Sequence, residues 1–222
     1  MNIWSFLEPR VNVSKRYILP ALAQVFANRG LPTEYTITGV GRRDWTTPQF
    51  QEYVSELLGK HQTPPLPRSR EGILQSLEYA RIEDLSDARQ IASIFHGQAG
   101  ITLLYIGLPP QMFPAVLEGL RHATLPPRSR VIIEKPFGLS YAQSKELNSL
   151  LHQTFPEESV FRIDHFLGMP IVGTILGLRF AHPVFTPIWN RQHIKKVEVI
   201  WDETLALEGR ADYYDRAGAL KD

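Results

Sequence analysis

Two places in this sequence set charged side chains at the end of an apolar run. Residues 160–170 read VFRIDHFLGMP: Val160, Phe161 and Ile163 lead into Asp164 and His165, a carboxylate beside an imidazole, and Phe166, Leu167 and Gly168 turn the chain away. Residues 130–138, RVIIEKPFG, repeat the pattern, ending in Glu134 and Lys135 before a proline-bounded turn. A lone Asp–His pair is most simply a solvated turn. Two strands that each deliver charged side chains at their C-terminal ends are how an open α/β sheet builds a site.

The elements that must position these residues follow from the spacing of apolar residues. Residues 3–7 read as a short first strand, and residues 14–28 as a helix whose apolar face is Ile18, Leu22, Val25 and Phe26, with Pro20 kinking it or lying in its first turn. Residues 35–40 (YTITGV) are strand-like, and Thr46, Thr47 and Pro48 open a helix with Phe50, Tyr53, Val54 and Leu57 inward. Residues 61–67 form a proline-rich loop, after which residues 71–79 and 84–95 carry helical spacing. Strands are expected at 101–107, 130–135 and 160–164, alternating with helices at 113–122 and 141–154. Strands that are apolar throughout and alternate with helices imply a parallel sheet covered on both faces, a doubly wound (Rossmann-type) domain over residues 1–164.

After Gly168 the pattern changes. Residues 170–178 read as a helix, residues 183–190 as a loop with a buried Trp189, and residues 195–201 (KKVEVIW) alternate with period two, as a half-covered strand of an antiparallel sheet does. Such a strand needs partners, and none is legible after it. Residues 165–222 are therefore expected to form the incomplete start of an α+β domain.

Composition narrows the class. The chain has 222 residues, 43% hydrophobic and 21% charged, with a net charge of +1, as in an ordinary soluble globular protein without a nucleic-acid or membrane surface. It holds no cysteine, and its seven histidines lack metal-ligand spacing, so neither a disulfide framework nor a metal site is expected. The N-terminus has no signal-peptide pattern, no run reaches membrane-spanning length, and a cytoplasmic location is expected.

Several segments, in order along the chain, resemble the glucose-6-phosphate dehydrogenase family: residues 15–22 (KRYILPAL), 105–110 (YIGLPP), 130–138 (RVIIEKPFG), 161–168 (FRIDHFLG), 187–191 (PIWNR), Glu208-Gly209-Arg210, Tyr214 and 218–222 (GALKD). The resemblance implies NADP-dependent oxidation of glucose 6-phosphate to its lactone in the pentose phosphate pathway, with NADP as cofactor and glucose 6-phosphate as the small-molecule partner. It implies that Asp164 orients a catalytic base, a histidine that the family carries a few residues beyond the point matching Asp222. By the same resemblance His165 binds the phosphate, Lys135 touches both sugar and cofactor, Glu203 and Asp222 hold sugar hydroxyls, and Arg42 selects the 2′-phosphate of NADP, with Pro109 in the cofactor-side turn. Read from the residues alone, Glu203 and Asp222 are solvated carboxylates, and Arg42 beside Arg43 reads equally as a surface cation.

The sequence also departs from the family. Where the family opens with a glycine-rich GxxGDL turn, residues 8–13 are Glu-Pro-Arg-Val-Asn-Val. A backbone approaches a pyrophosphate closely only where no Cβ intervenes and its N–H groups are unblocked. Val11 adds a branched side chain, Pro9 removes a donor and Glu8 adds a negative charge, so NADP binding is expected to be weak. Either a displaced start or a decayed copy accounts for this. Met169 stands where a lysine is common in the family. Phe166 stands for a common tyrosine, losing one phosphate hydrogen bond worth about 1 kcal/mol. Three functions remain: a dehydrogenase lineage whose isolated chain is inactive, a non-catalytic remnant that binds sugar phosphate or pairs with a full-length homologue, and an unrelated α/β binding domain, which the motifs disfavour. Unpaired strand edges make self-association of the segment after residue 170 an expectation as well.

Overall fold

Runs that are apolar on both sides become strands, and amphipathic runs become helices laid over them. The computed structural model describes residues 2–7, 18–27, 35–61, 67–95, 100–200 and 215; within 2–7 only the side chain of Ile3 is described. The chain divides into two compact units, Met1–Arg162 and Ile163–Asp222.

In the first unit the elements run β1 (Asn2–Leu7), α1 (Leu19–Ala27), β2 (Thr36–Gly41), α2 (Thr47–His61), α3 (Pro67–Gln75), β3 (Leu77–Arg81), α4 (Ala88–Ile94), β4 (Thr102–Gly107), α5 (Phe113–His122), β5 (Ser129–Glu134), α6 (Tyr141–Thr154) and β6 (Val160–Ile163), which ends at the unit boundary. The sheet order is β3-β2-β1-β4-β5-β6. The pairings of β1 with β2 and β4, of β2 with β3, and of β4 with β5 are all parallel. This is the doubly wound architecture, and its connections reverse direction between β1 and β4, where Leu7 lies opposite Gly107.

The core has two halves, one on each face of the sheet. On one face Ile3, Ile37 and Leu77 meet Phe50, Val54, Leu58 and Ile73 from α2 and α3. On the other, Leu104, Ile106, Val131 and Ile133 meet Val116, Leu117, Leu120, Leu147 and Leu151 from α5 and α6. Each such side chain contributes about 1.5–3 kcal/mol of burial. Gly119 marks the tightest contact: a Cβ there would lie 2.2 Å from the Leu85 carbonyl oxygen and 2.6 Å from Ile91 Cδ1. Gly119→Ala is expected to destabilise the unit by about 1–3 kcal/mol in urea unfolding, because backbone must move to admit the methyl.

Local chemistry sets the helix boundaries. Pro20 lies in the first turn of α1, where its missing N–H costs nothing. Thr46 and Gln49 open α2 with a reciprocal cap, the Thr46 N–H donating to Gln49 Oε1 at 2.8 Å and the Gln49 N–H to Thr46 Oγ1 at 3.5 Å. The helix expected at 84–95 begins only at Ala88. Asp84 Oδ1 accepts from the Ser86 N–H and hydroxyl at 2.8 and 2.6 Å, a local turn that competes with helix, and Asp87 then caps α4, accepting from the Arg89 N–H at 2.8 Å.

Three expectations are corrected. Residues 71–79 are not one helix: α3 ends at Gln75, Ser76 turns the chain by donating to the Ile73 carbonyl at 2.7 Å, and β3 pairs with β2. Leu77 sits one helical turn beyond Ile73, so helical spacing ran on through a residue that is buried as strand. Residues 195–200 form no strand; they run as irregular backbone, with Val197 and Val199 79% and 90% exposed. Alternation alone does not make a strand, and no neighbour among the described residues supplies its hydrogen bonds. Trp189 is half-buried rather than buried.

The second unit holds a short 3-10 turn, His165–Gly168, and α7 (Pro170–Phe180), followed by turns. Truncation after Gly168 removes these exposed apolar residues. The shortened chain is expected to be more soluble and to keep the unfolding midpoint of the first unit, as a thermal melt beside light scattering would report. No helix among the described residues is long and apolar enough to cross a membrane.

Candidate functional site

The C-terminal ends of the parallel strands of the first unit gather its chemistry on one edge of the sheet. β2 ends at Gly41 and delivers Arg42, Arg43 and Asp44; β4 ends at Gly107 and delivers Leu108 and Pro109; β5 ends at Glu134 and delivers Lys135. The reversal of connections between β1 and β4 falls at this edge, and such a switch point is where doubly wound sheets take their ligands.

Beyond β2, Arg42, Arg43 and Asp44 are exposed, while Trp45 is half-buried. The Arg43 guanidinium lies 4.6 Å over the Trp45 ring, and Trp45 packs on Tyr53 and Tyr79 at 4.9 and 5.8 Å. The Tyr79 hydroxyl donates to the Arg43 carbonyl at 3.0 Å, which ties the turn to β3. Burial pushes the Tyr79 pKa up, so this donor stays protonated. Arg81, at the end of β3, pairs with Asp44 at 3.2 Å and Glu83 at 2.9 Å. Its charge is balanced there, and Arg42 directly follows the last residue of β2.

Beyond β4, Pro109 begins a short turn, its carbonyl accepting from the Met112 N–H at 2.9 Å, and Pro110 is buried behind it. Tyr105, two residues before the strand end, is 4% exposed and donates to Glu134 Oε1 at 2.9 Å. Burial, and then the Glu134 carboxylate, raise the tyrosine pKa far above its usual value, so the phenol remains a donor. This bond ties the ends of β4 and β5 together.

Lys135 is half-buried at the start of the turn after β5, and its bond to Pro136 is cis. The turn is held from α6. Ser144 Oγ donates to the Phe137 carbonyl at 2.6 Å, and the Leu139 N–H donates to Gln143 Oε1 at 2.6 Å. Gly138 has φ +89°, and a Cβ there would meet Ser144 N at 2.9 Å, so glycine is required. Phe137 packs on Phe113 at 6.0 Å, and the Arg162 guanidinium lies 5.9 Å over its ring.

In the second unit Asp164 caps the 3-10 turn, its Oδ1 accepting from the Phe166 N–H at 3.0 Å and its carbonyl from the Leu167 N–H at 3.1 Å. His165 opens that turn. Arg42, Pro109 and Lys135 thus share one edge of the first unit, and Asp164 and His165 adjoin in the second. Glu203, Asp222 and residues 8–13 lie outside the described residues. The sequence reading missed Trp45 and Tyr79 as supports of the Arg42 turn, and Tyr105 as the anchor of Glu134. An aromatic residue two before a strand end was the available signal for Tyr105.

Among known families, "Glucose-6-phosphate dehydrogenase, NAD binding domain" matches residues 10–173, and "Glucose-6-phosphate dehydrogenase, C-terminal domain" matches residues 176–222. The chain is 37% identical to "Glucose-6-phosphate 1-dehydrogenase 2" of Mycobacterium tuberculosis, over 95% of this chain and 44% of that protein. It is 33% identical to "Glucose-6-phosphate 1-dehydrogenase" of Treponema pallidum, with the same two coverages of 95% and 44%. Less than half the length of these relatives is therefore spanned. The structure superposes on the crystal structure of glucose-6-phosphate 1-dehydrogenase from Mycobacterium avium with a TM-score of 0.82 and 26% identity, covering 100% of this chain and 49% of that one. A glucose-6-phosphate dehydrogenase solved in complex with its substrate glucose 6-phosphate also gives a TM-score of 0.82, at 25% identity, covering 100% of this chain and 48% of that one.

Proposed function

The chain belongs to the glucose-6-phosphate dehydrogenase family, and from that premise we propose that it is the coenzyme-binding half, with the start of the substrate half, of an NADP-dependent glucose-6-phosphate dehydrogenase of the cytoplasm. What supports the proposal is the reversal of connections between β1 and β4, with Arg42, Pro109 and Lys135 each following a strand at the same C-terminal edge of the sheet. An arginine for a phosphate and a lysine for sugar and cofactor are the groups a phosphorylated dinucleotide and a sugar phosphate need. The bound nicotinamide would supply the hydride acceptor for oxidation at the sugar C1.

The chain's own residues then take the following roles. Arg42 pairs with the 2′-phosphate of NADP, its turn held by Trp45 and Tyr79. Pro109 shapes the cofactor-side turn. Lys135 reaches both ligands from a turn that α6 holds still. His165 takes the sugar phosphate, and Glu203 and Asp222 accept from sugar hydroxyls. Asp164 orients the base. Its side chain already accepts the Phe166 N–H, so its direction is set by its own turn.

Arg42→Ala tests the cofactor assignment. If Arg42 meets a 2′-phosphate, the variant loses about tenfold in NADP affinity, equivalent to about 1.5 kcal/mol for a hydrogen bond to a charged group, and NAD affinity is unchanged. Equal losses for both dinucleotides in a fluorescence titration would remove Arg42 from this role. A second function, as a non-catalytic module that binds sugar phosphate or associates with itself or with a full-length homologue, is favoured by one feature, the absence of glycine from residues 8–13.

A further inference from the structure

The last rung of the β4–β5 ladder pairs Ile106 with Ile133. Glu134 closes β5 one position beyond that rung, and Lys135 follows it. Past the rung a side-chain bond carries the link on: the Tyr105 hydroxyl donates to Glu134 Oε1 at 2.9 Å. Tyr105 stands opposite Ile132, and Ile132 and Glu134 share a face of the strand, so the phenol crosses diagonally to a neighbour within its reach. It does so from a buried position, 4% exposed. Replacing both partners of such a bond by apolar groups of the same shape can be nearly neutral for stability. Stability alone therefore does not call for a phenol and a carboxylate here.

We propose that Tyr105 is a positioning residue for Lys135: through Glu134 it fixes the point at which the chain leaves β5, and with it the reach of the lysine amine. The far side of the lysine is held from α6. Ser144 Oγ donates to the Phe137 carbonyl at 2.6 Å, and the Leu139 N–H donates to Gln143 Oε1 at 2.6 Å. Only Lys135 and Pro136 lie between Glu134 and Phe137, so two fixed neighbours bracket two residues. An amine that has to meet its ligand in one geometry gains from such a bracket, because a misplacement of about 1 Å at a site is costly. Burial, and then the Glu134 carboxylate, hold the proton on the phenol, so the donor is present at neutral pH. That Lys135 meets cofactor and sugar rests on the function proposed above; its anchoring by Tyr105 does not.

The test reads Lys135 directly, by nuclear spin relaxation of its amide nitrogen in the 222-residue chain, beside the unfolding midpoint and a fluorescence titration with NADP. Tyr105→Phe removes the hydroxyl and keeps the ring. It is expected to lower the order parameter at Lys135 from about 0.85 to about 0.6, and NADP affinity by about fivefold. Glu134→Gln still accepts from the phenol and should keep both near the values of the unaltered chain. Glu134→Ala should lose both, and adding Tyr105→Phe to it should lose nothing more. Gly119→Ala, a packing defect on α5, is the control: it should lower the midpoint and leave Lys135 ordered. The proposal is overturned if Tyr105→Phe leaves Lys135 as ordered as before, or if Glu134→Gln loses as much as Tyr105→Phe. It is also overturned if Gly119→Ala loosens Lys135 equally, which makes the bond an ordinary contribution to stability, or if the unaltered and Tyr105→Phe chains bind NADP equally well. An unaltered chain that binds no NADP sinks the coenzyme reading instead, and the order of Lys135 then decides the anchor.

Discussion

A polypeptide of these 222 residues is expected to generate no NADPH from glucose 6-phosphate above the blank rate. The residues that would bind, Lys135 and His165, and the carboxylate that would orient, Asp164, are present. By resemblance, the histidine that takes the C1 hydroxyl proton follows the segment matching Asp222. A positioned general base is worth about 10²–10⁴ in rate, and an orienting carboxylate without its base does no proton transfer. A polypeptide of this length also spans 44% of the relative it matches, and residues 195–200 lie exposed where a strand was expected. Purified protein, a saturating supply of both substrates and absorbance of the reduced nicotinamide suffice to measure it. Steady turnover that Lys135→Ala abolishes would show that the chain carries a base of its own.

Replacing residues 8–12 with a glycine-bearing GxxGD turn is expected to tighten NADP binding about tenfold to a hundredfold, the equivalent of one recovered hydrogen bond to a charged group at about 1.5–3 kcal/mol. These residues follow β1, whose end lies opposite Gly107 at the switch point of the sheet, where doubly wound folds take a pyrophosphate. Pro9 offers no N–H, Val11 brings a branched Cβ, and Glu8 repels a phosphate. Glu8, Pro9 and Val11 lie within four consecutive positions, so the substitution replaces them together. Calorimetric titration of both chains measures the difference. Tight binding to the unaltered chain would show that the phosphates are held without glycine.

What could be read from the sequence was what local pattern determines. β4, α5, β5, α6 and β6 fall where runs of apolar residues and helical spacing put them, within a residue or two. β3 escaped because Ile73 and Leu77 are one helical turn apart, and only pairing with Ile37 on β2 makes Leu77 a strand residue. The strand expected at 195–201 failed for the converse reason: its pattern was right, but a strand is made by its neighbours. Lys135 was legible as a charge at a strand end. Its supports were not, because the bonds that set the site join residues far apart in sequence. Tyr79 reaches Arg43 across 36 positions, and Tyr105 reaches Glu134 across 29.

If the switch point at the C-terminal ends of β1 and β4 is the coenzyme site, hydrogen exchange in the presence of NADP reports it. With millimolar NADP, exchange is predicted to slow in residues 41–45 and 107–110, weakly in the unaltered chain and strongly once the glycine turn is restored, while α5 and α6 are unaffected. Unchanged exchange at both segments in the restored chain, or slowing confined to α6, would contradict it.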